Sequence, residues 1–384
     1  MANTLNLGTD GNWAIKEGAL LGYNSENSNF KPLPFDFTRA STATYVAEDG
    51  LIKTAASGVP RIDFLDSTEG SLKLEPQRTN TVTDSEDYSA WSAGGVTLTT
   101  GQLAPDGTYN ATKVSGTIGS SSIYKTGKSS TTASRSVYAR TVSGTGTARL
   151  CSYFGNTNNL FTLTEQWQRF ELTDSVSTGG TNFYLADFRG SQTLSEFIVW
   201  GAQSEEASYP TSYIKTEGVT ATRVADTCSN GGNDQVINST EGVLYAEIKS
   251  FINLDTVDAN RYITLTNGTS DERVALLLGG NTSQLRAIIF SSTQSINLSF
   301  TTNLTEVKQF NKLAVKYKSG DYSFFLNGIK IGGSTETSIF SANTLNDLSF
   351  DVGGGTQQFR GIAKDVRVYN TALTDTELAT LTTI

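Results

Sequence analysis

Histidine is absent from the 384-residue sequence. Its absence excludes Ser-His-Asp and Cys-His nucleophile systems, zinc sites built on His-Glu-x-x-His, and the commonest general base at neutral pH. Among hydrolytic mechanisms, a pair of carboxylates of the kind that glycosidases use is the one that remains open.

Cysteine and proline are also scarce. The two cysteines, Cys151 and Cys228, fall in different segments, so their number excludes a disulfide framework and a thiolate metal site. We expect two isolated, buried thiols. Most of the six prolines lie within residues 1–85, where they interrupt short apolar stretches.

Long hydrophobic runs and basic clusters are missing as well. No stretch approaches the ~20 apolar residues of a membrane-spanning helix, and the start MANTLNLGTDGNW lacks the basic and apolar regions of a signal peptide. We therefore expect a chain that is soluble as made, with no membrane insertion. The net charge is −9 and no group of Lys and Arg is clustered to bind a phosphate backbone, so we expect no nucleic acid partner.

The residues that are abundant favour strands. Charged residues make up only 17%, and Ser, Thr, Asn and Gly take their place, a mixture that suits strands and turns better than helices. The composition predicts an all-β protein. At roughly 100 to 200 residues per domain, the length predicts two or three domains.

The pattern along the chain predicts three modules and a linker. Residues 1–85, which contain FDFTRASTATYV, predict a loop-rich module with short strands. Residues 86–217 predict a β-sandwich or jelly roll, because segments such as QWQRFELT and SEFIVWGAQ recur between turn signals. The polar, Gly-rich residues 218–238 are the predicted linker, and residues 239–384 form a second strand-rich domain.

Local patterns in the last domain predict individual elements. The alternation in VLYAEIK and AKDVRVYN predicts half-buried strands. The residues expected to face inward are Leu244, Ala246, Ile248, Val366 and Val368, and those expected to face outward include Tyr245 and Tyr369. A turn at 319–321 and the Asn327-Gly328 pair predict two consecutive hairpins. Thr374 and Glu377 have the spacing of a capping box and predict one short C-terminal helix.

Residues 239–384 resemble a laminin-G or concanavalin-A-like lectin domain, on the strings EGVLYAEIK, LAVKYKSGDYSFFLNGIKIGG and GIAKDVRVYNTALTDTEL. That superfamily includes glycan binders, glycanases, lyases and structural modules, so the resemblance implies a fold rather than a ligand. The Glu-x-Asp-x-x-Glu type strand motif of the concanavalin-like glycanases does not occur in this region. We therefore expect no catalytic residues.

The rest of the chain resembles parts of phage proteins. Residues 86–217 resemble a carbohydrate-binding-module jelly roll of phage virion proteins, on SEDYSAW, PDGTYNATKV, SVYAR, QWQRFELT and the closing string FIVWGAQSEEASYPTSYIKTEGVTATRVAD. The first region, with FDFTRASTATYVAEDGLIKTAASGVPRIDF and LKLEPQRTN, resembles the segment that precedes such a domain in bacteriophage tail and tail-fibre proteins.

Together the resemblances imply a structural, non-enzymatic bacteriophage protein of the tail or fibre. Such a protein is made in the host cytoplasm and is carried on the tail or capsid surface of the virion. Its expected partners are host-surface glycans, other virion proteins and further copies of itself. A trimer is expected, because multivalency strengthens weak single-site sugar binding. Two alternatives stay open: a glycan depolymerase of the tail-spike type, and a purely structural head or tail decoration protein.

Candidate ligand-binding residues lie in the middle domain. Sugar sites combine aromatic faces with amides and carboxylates. The candidates of these types and their neighbours are Tyr153, Phe154, Tyr184, Asp187, Phe188 and Arg189. Glu205 and Glu206 are the most visible carboxylate pair, but adjacent strand residues point to opposite faces, so we expect a solvated edge there.

Calcium is the one cofactor that the sequence leaves open, because jelly rolls and laminin-G domains often bind it with carboxylate and carbonyl oxygens. The candidate ligands are Asp255, Asp258 and Asn260 in NLDTVDANR, with a second group at Asp226, Asn230 and Asp234. Neither group follows an EF-hand pattern.

The stretch FDFTRASTATYV is interpreted as scaffold. Its alternation predicts a short strand that buries Phe35 and Phe37, and Arg39 is expected to bind an acid such as Glu75 or a carbonyl of a neighbouring chain. With Arg78, these four residues form the predicted intersubunit or virion-facing contact.

Overall fold

The structure is a computed structural model, and it describes residues 3–30, 34–126, 132–152, 159–175, 182–251, 261–279, 284–292, 297–303, 307–337 and 340–384. The described residues form strands almost throughout, with one short 3-10 helix at Thr9–Gly11 and one α-helix, α1, at Asp375–Thr382. The predicted all-β fold class is confirmed.

The strands of the first 126 residues are β1 (Leu5–Leu7), β2 (Ala14–Lys16), β3 (Ala19–Leu21), β4 (Asp36–Thr38), β5 (Ala43–Val46), β6 (Ile52–Ala55), β7 (Ile62–Asp63), β8 (Ser71–Leu74), β9 (Arg78–Asn80), β10 (Ser92–Gly94), β11 (Val96–Gln102), β12 (Ala111–Gly116) and β13 (Ser122–Lys125). They are followed by β14 (Thr132–Arg140), β15 (Gly146–Arg149), β16 (Leu160–Leu163), β17 (Gln168–Ser175), β18 (Phe183–Asp187), β19 (Glu196–Glu205), β20 (Ala221–Arg223) and β21 (Thr227–Ser229). The last strands are β22 (Glu241–Lys249), β23 (Arg261–Thr266), β24 (Glu272–Gly279), β25 (Gln284–Ser291), β26 (Asn297–Asn303), β27 (Asn311–Lys318), β28 (Tyr322–Leu326), β29 (Ile329–Ser334), β30 (Asp347–Ser349) and β31 (Gly361–Tyr369).

The chain divides into two compact units whose boundaries differ from the predicted modules. Unit 1 consists of residues 1–40, 55–76 and 225–384, and unit 2 consists of residues 41–54 and 77–224. The predicted N-terminal module is therefore shared between the units. The predicted linker also contributes to folded structure, because Cys228 and Ile237 are buried in the core of unit 1. Pairing between strands that are distant in sequence leaves no local pattern, which is why these boundaries were missed.

Unit 1 is built from two antiparallel sheets. The larger has the order β29-β28-β27-β22-β31-β8-β7, with β1 also paired to β31, and the smaller has the order β26-β25-β24-β23-β30. Their apolar faces share one core, to which early residues such as Leu5, Phe35 and Leu72 contribute alongside later ones such as Leu276 and Val368. The N-terminal strands therefore complete a β-sandwich whose other strands come from residues 241–369.

The inward positions predicted for β22 and β31 are confirmed. The outward positions are partly wrong: Tyr245 and Tyr369 are buried to 2% exposure. Both tyrosines lie in a second apolar cluster with Leu373 and Leu378, because α1 packs over this outer side of the large sheet. The strand alternation was correct, but it could not reveal that a helix would cover the opposite face.

The predicted hairpins and helix start are confirmed. Strands β27 and β28 are joined through residues 319–321, and β28 and β29 through Asn327 and Gly328, which have φ of 48° and 83°. Positive φ at both central positions is what a type I′ turn requires. At α1, Thr374 accepts the backbone N–H of Glu377, and the Glu377 carboxylate accepts the Thr374 N–H, which completes the capping box.

Unit 2 contains a five-stranded antiparallel sheet with the order β11-β12-β19-β14-β17 and a three-stranded sheet with the order β10-β13-β18. Its main core includes Trp91, Val137 and Phe197. Cys151 belongs to this core, and Cys228 to the core of unit 1; both thiols are free and buried, and burial raises the pKa of each. The prediction of two isolated, buried thiols is confirmed.

A buried cluster of ion pairs joins the three segments of unit 1. Asp226 accepts hydrogen bonds from Arg39 Nη1 at 3.1 Å and from Arg61 Nη2 at 2.6 Å, and Arg61 Nη1 donates to Glu75 at 2.7 Å. Arg360 donates to the carbonyl oxygens of Asp226 and Glu75. Burial alone would lower the pKa of Arg61, but the charges of Glu75 and Asp226 outweigh it and the net pKa is raised.

This cluster changes the interpretation of the predicted assembly residues. Arg39 binds Asp226 of its own chain, while Glu75 binds Arg61, and both side chains are buried within unit 1. Phe35 lies in the core and Phe37 packs against it. These side chains therefore stabilise unit 1, and Arg39, Glu75 and Phe35 are not exposed for an intersubunit contact.

Arg78, the remaining predicted assembly residue, belongs to unit 2. There its guanidinium lies over the ring of Tyr209, 5.1 Å from the ring centroid. Sequence proximity to Glu75 was misleading, because the chain passes from one unit to the other between residues 76 and 77.

Replacing Asp226 with Asn should strongly destabilise unit 1. The Asp226→Asn variant leaves the guanidinium groups of Arg39 and Arg61 buried with too little negative charge, so the free energy of unfolding should fall by about 3 to 5 kcal/mol. Equilibrium denaturation in urea measures this loss.

The matched control is Lys330→Ala, which breaks a half-exposed ion pair between Lys330 and Asp375 in the same unit. Because solvent screens such pairs, its cost should stay below about 1 kcal/mol. Equal losses in the two variants would contradict a special role for the buried cluster.

Candidate functional site

The smaller sheet of unit 1 has one face toward the core and one face away from it. On the core side lie apolar residues of β23, β24 and β25, such as Ile263, Leu276 and Ile289. The side chains that alternate with them point the other way, because strand residues alternate between faces. We call this second side the outer face, and its described members are Tyr262, Thr264, Thr266, Arg273, Ala275, Leu277, Arg286, Ile288, Phe290, Ser299, Asp347 and Ser349.

Strand register arranges the outer face in rows across the sheet. One row runs from Phe290 through Arg273 and Thr266 to Asp347. A second row runs from Ser299 through Ile288, Ala275 and Thr264 to Ser349. Directly opposed residues on neighbouring strands have Cβ atoms about 4.5 to 5.5 Å apart. Residues from five strands are thereby brought side by side.

The outer face has an apolar centre and a polar rim. Tyr262, Ala275, Leu277 and Ile288 form the centre and are buried, and Val352, which follows β30, packs with them. Around it, Arg273, Arg286, Phe290 and Asp347 are half-buried, and Ser299 is exposed. A ligand would therefore contact the rim first.

Arg273 lies in a partly desolvated position. Its guanidinium is 4.8 Å from the centroid of the Phe290 ring, an arrangement that favours a cation over the aromatic face. Burial lowers the pKa of Arg273, and the charges of Tyr262 and Asp271 oppose this only in part.

The opposite end of the same row carries a perturbed acid. Burial raises the pKa of Asp347 to about 6, with a further contribution from the charge of Asp351. Ser349 Oγ donates to Asp347 Oδ2 at 2.8 Å, and the backbone N–H groups of Asn230 and Gly231 also lower the pKa of this carboxyl. Asp347 Oδ1 is buried without a direct hydrogen-bond partner within the described ranges. The buried Thr264 hydroxyl, on the neighbouring strand, likewise lacks one among those residues. Burial also raises the pKa of Asp351.

A glycine-rich segment borders this end of the outer face. Asp351 Oδ1 accepts the Gly353 N–H at 2.6 Å, and Gly353, Gly354 and Gly355 all have positive φ. A Cβ at Gly353 would lie 2.2 Å from the Thr269 carbonyl oxygen, so only glycine fits there. This segment is a turn that connects β30 and β31.

The sequence predictions did not include the outer face. The strings RVALLL and QLRAIIF do contain a signal for a polar group on this face. Each is an apolar strand with one arginine, Arg273 or Arg286, at a position that alternates with the core-facing residues. The pattern gives no indication that β30, more than 50 residues further on, would supply Asp347 to the same sheet.

Three of the predicted glycan-binding residues come together in unit 2. Arg189 donates to both oxygens of Asp187, at 2.8 and 2.9 Å, and its guanidinium lies 4.5 Å from the centroid of the Tyr184 ring. The hydrogen bonds to Asp187 raise the pKa of Arg189. Tyr184 is itself buried, so its ring positions Arg189 instead of offering an open stacking surface.

The other predicted residues of this site differ in position. Phe188 is in the core of unit 2, where it stacks on Phe197, so its assignment as a ligand contact is wrong. Tyr153 and Phe154 lie outside the described residues. Tyr124, which was not predicted, is half-buried on the neighbouring strand with its ring centroid 4.9 Å from that of Tyr184.

The expected exposure of the Glu205-Glu206 pair to solvent is found for Glu206 but not for Glu205. Glu206 is exposed, but Glu205 is fully buried and accepts hydrogen bonds from the Thr211 backbone N–H at 2.7 Å and from Gln203 Nε2 at 2.9 Å. The expected solvated edge is therefore wrong for Glu205, although the two carboxylates do point apart.

The candidate calcium ligands Asp255, Asp258 and Asn260 lie outside the described residues. Of the second group, Asp226 is occupied by the buried ion pairs of unit 1. Across the described ranges, no group of three or more Cys, Asp or Glu residues is arranged to hold a metal ion. No helix in that same part of the chain is long and apolar enough to cross a membrane.

The sequence of unit 1 is similar to a known superfamily. The family described as the concanavalin A-like lectin/glucanases superfamily matches residues 248–379, which include the whole described outer face. No curated protein matches the chain.

Several solved structures are similar to parts of the chain. The CBM40 domain of Ruminococcus gnavus IT-sialidase, bound to alpha2,3 sialyllactose, has 18% identity and a TM-score of 0.33, over 40% of this chain and 93% of that one. Domain 4 of the GH43 arabinanase AbnA from Geobacillus stearothermophilus, in complex with arabinotriose, has 15% identity and a TM-score of 0.33, over 44% and 80%. A SAP-like pentraxin from Limulus polyphemus has 14% identity and a TM-score of 0.32, over 40% and 74%.

The perturbed pKa of Asp347 gives a testable pH dependence. An acid whose pKa is higher in the folded than in the unfolded state loses stabilisation as pH rises through that interval, because the folded state binds the proton more tightly. With a pKa of about 6 in place of 3.8, the Asp347→Asn variant should gain stability relative to wild type between those pH values. The gain should reach at most roughly 3 kcal/mol.

Urea denaturation of both proteins at a series of pH values from 4 to 7 measures the difference. Ser349→Ala is the control, because its hydroxyl lowers the pKa of Asp347 and its loss should move the interval to higher pH. A stability difference that is independent of pH would contradict the assignment.

Proposed function

We propose that this chain is a non-enzymatic bacteriophage virion protein of the tail or fibre, which binds glycans of the host surface through the outer face of unit 1. The single observation that carries the glycan-binding proposal is the composition of this face. An aromatic ring, two arginines, hydroxyl groups and a partly buried aspartate surround an apolar centre, in a region similar to lectins and glucanases.

The chemistry of the rim suits a sugar. A pyranose presents an apolar face, which the ring of Phe290 can contact, and hydroxyl groups that need directional partners. Asp347 offers a half-buried carboxylate, and Arg286 Nη2 already donates to the exposed Ser299 hydroxyl at 3.0 Å. Such a set of groups favours binding of hydroxyl-bearing ligands.

The burial and hydrogen bonding of Asp347 and Asp351 support binding without hydrolysis. Hydrolysis by a carboxylate pair needs two acids that flank one glycosidic bond. Asp351, the acid nearest in sequence to Asp347, is buried and accepts the Gly353 N–H. Asp347 therefore has no exposed carboxylate partner among the described residues of the outer face.

The virion assignment is supported by two sequence resemblances. FDFTRASTATYVAEDGLIKTAASGVPRIDF resembles a segment of bacteriophage tail and tail-fibre proteins, and the string that closes at Asp226 resembles the end of a jelly roll of phage virion proteins. In a tail or fibre, several copies of one chain would present the same face together. Repetition of a weak site raises overall avidity without any new contact, which favours a symmetric oligomer such as a trimer.

Replacing Phe290 with Ala should weaken glycan binding, because the variant removes the aromatic contact of the rim. A loss of about 5-fold to 100-fold in affinity is expected from one stacking ring, at about 1 to 3 kcal/mol. The measurement is isothermal titration with a glycan that is first identified by array screening of the wild-type chain.

Phe310→Ala is the matched control for this experiment. Phe310 is also a partly buried ring beneath a cation, Lys249, but it precedes β27 of the larger sheet. Its replacement should leave affinity unchanged. Equal losses in both variants, or silence of the wild-type chain on the array, would contradict glycan binding by the outer face.

Two further measurements test the remaining parts of the proposal. Mass spectrometry of purified phage particles should detect the chain, and its absence from particles would contradict the virion assignment.

Incubation with host surface polysaccharide should release no new reducing ends or unsaturated products, and their appearance would favour the depolymerase alternative.

A further inference from the structure

We propose that the outer face of unit 1 selects acidic glycans, with Arg273 receiving the carboxylate of a sugar acid. This inference rests on the proposed glycan-binding function and specifies its ligand class. It depends on charge and burial at Arg273, two properties that the binding of neutral sugars does not require.

Arg273 and Arg286 have no carboxylate partner among the described residues, in contrast to Arg39, Arg61 and Arg367 of the same unit. Arg39 and Arg61 bind Asp226, and Arg367 forms an ion pair with Asp365. For the two arginines of the outer face, no ion pair is formed with any described residue. The outer face thus has two cationic groups that its own described side chains do not neutralise.

Partial burial of Arg273 makes the lack of a carboxylate partner energetically costly. Its guanidinium is held over the Phe290 ring, and its Nε has no acceptor in the described part of the chain. A buried donor without a partner loses the hydrogen bonds that water would supply. A ligand carboxylate would supply the missing negative charge, because the guanidinium fork matches two carboxylate oxygens.

The rest of the row fits an acidic sugar better than a free anion. Asp347 lies two strands away from Arg273, which is about 10 Å at the usual spacing of neighbouring strands. That separation exceeds one pyranose ring, so a short oligosaccharide would place its acid at Arg273 and a hydroxyl at Asp347. Arg286, on the strand beyond Arg273, adds positive charge on the same face.

The negative charge of Asp347 favours a carboxylate over a phosphate as the anion bound at Arg273. Both anions match an arginine fork, but a phosphate group carries up to two negative charges at neutral pH. Asp347 adds negative charge to the same row whenever it is ionised, and it would repel a divalent anion more strongly than a monovalent one. We therefore assign the site to uronic or related sugar acids.

The decisive experiment changes the ligand and leaves the protein intact. The full chain is titrated with oligogalacturonate and with the same oligosaccharide after its carboxyl groups have been reduced to alcohols. The acidic form should bind about 10-fold to 100-fold more tightly, as expected for a charge-assisted hydrogen-bonded pair. A phosphorylated oligosaccharide of equal length should bind more weakly than the acidic form.

Variants assign the preference to Arg273. Arg273→Gln should abolish the difference between the acidic and reduced ligands, because the acidic ligand should lose more affinity than the reduced one, and Arg273→Lys should retain part of the difference. Arg140→Gln is the matched control, since Arg140 also lies over an aromatic ring, that of Trp167, but belongs to unit 2. It should leave both affinities unchanged.

The outcomes separate this inference from the proposed function. Equal binding of acidic and reduced ligands would overturn the acidic preference and leave glycan binding standing. If no glycan bound in the preceding array experiment, the proposed function itself would fail. Acidic preference that survives Arg273→Gln would overturn the assignment to this residue, as would stronger binding of the phosphorylated ligand.

Discussion

The buried ion pairs around Asp226 are the constraint on which unit 1 depends. Arg39, Arg61 and Asp226 belong to three chain segments that are separated by residues of unit 2. Hydrophobic packing alone is tolerant of small shifts, whereas paired charges in a region of low polarity require their partners at fixed distances. The cluster therefore fixes how the three segments meet, and with it the pairing of the early strands to the strands from residues 241–369.

The core of unit 1 packs against the other side of the sheet that carries the outer face. Residues from both ends of the chain fill this core, including Leu5 and Phe35 beside Leu348 and Phe350. The alternation of β23, β24 and β25 commits one side of each strand to the core and places Arg273, Arg286 and Phe290 on the other side. Position on a packed sheet gives Arg273 a defined direction, which a loop residue would lack.

Prediction from the sequence succeeded where the controlling interactions are local. The turn at Asn327-Gly328 and the capping box at Thr374 and Glu377 follow from backbone conformation and from hydrogen bonds between near neighbours, so their residues identify them. It failed where partners are distant. Arg39 was assigned an acid from a nearby string, but its partner Asp226 is 187 residues away.

The sequence by itself determined the all-β class, the strand alternation, the turns and the absence of histidine chemistry. It also identified Tyr184, Asp187 and Arg189 as neighbours, because they are close in the chain. Only the tertiary structure decided which strands pair, and hence which faces are buried and which charges find partners. The physical reason is that register across a sheet is set by burial of complete faces, and no local stretch contains that information.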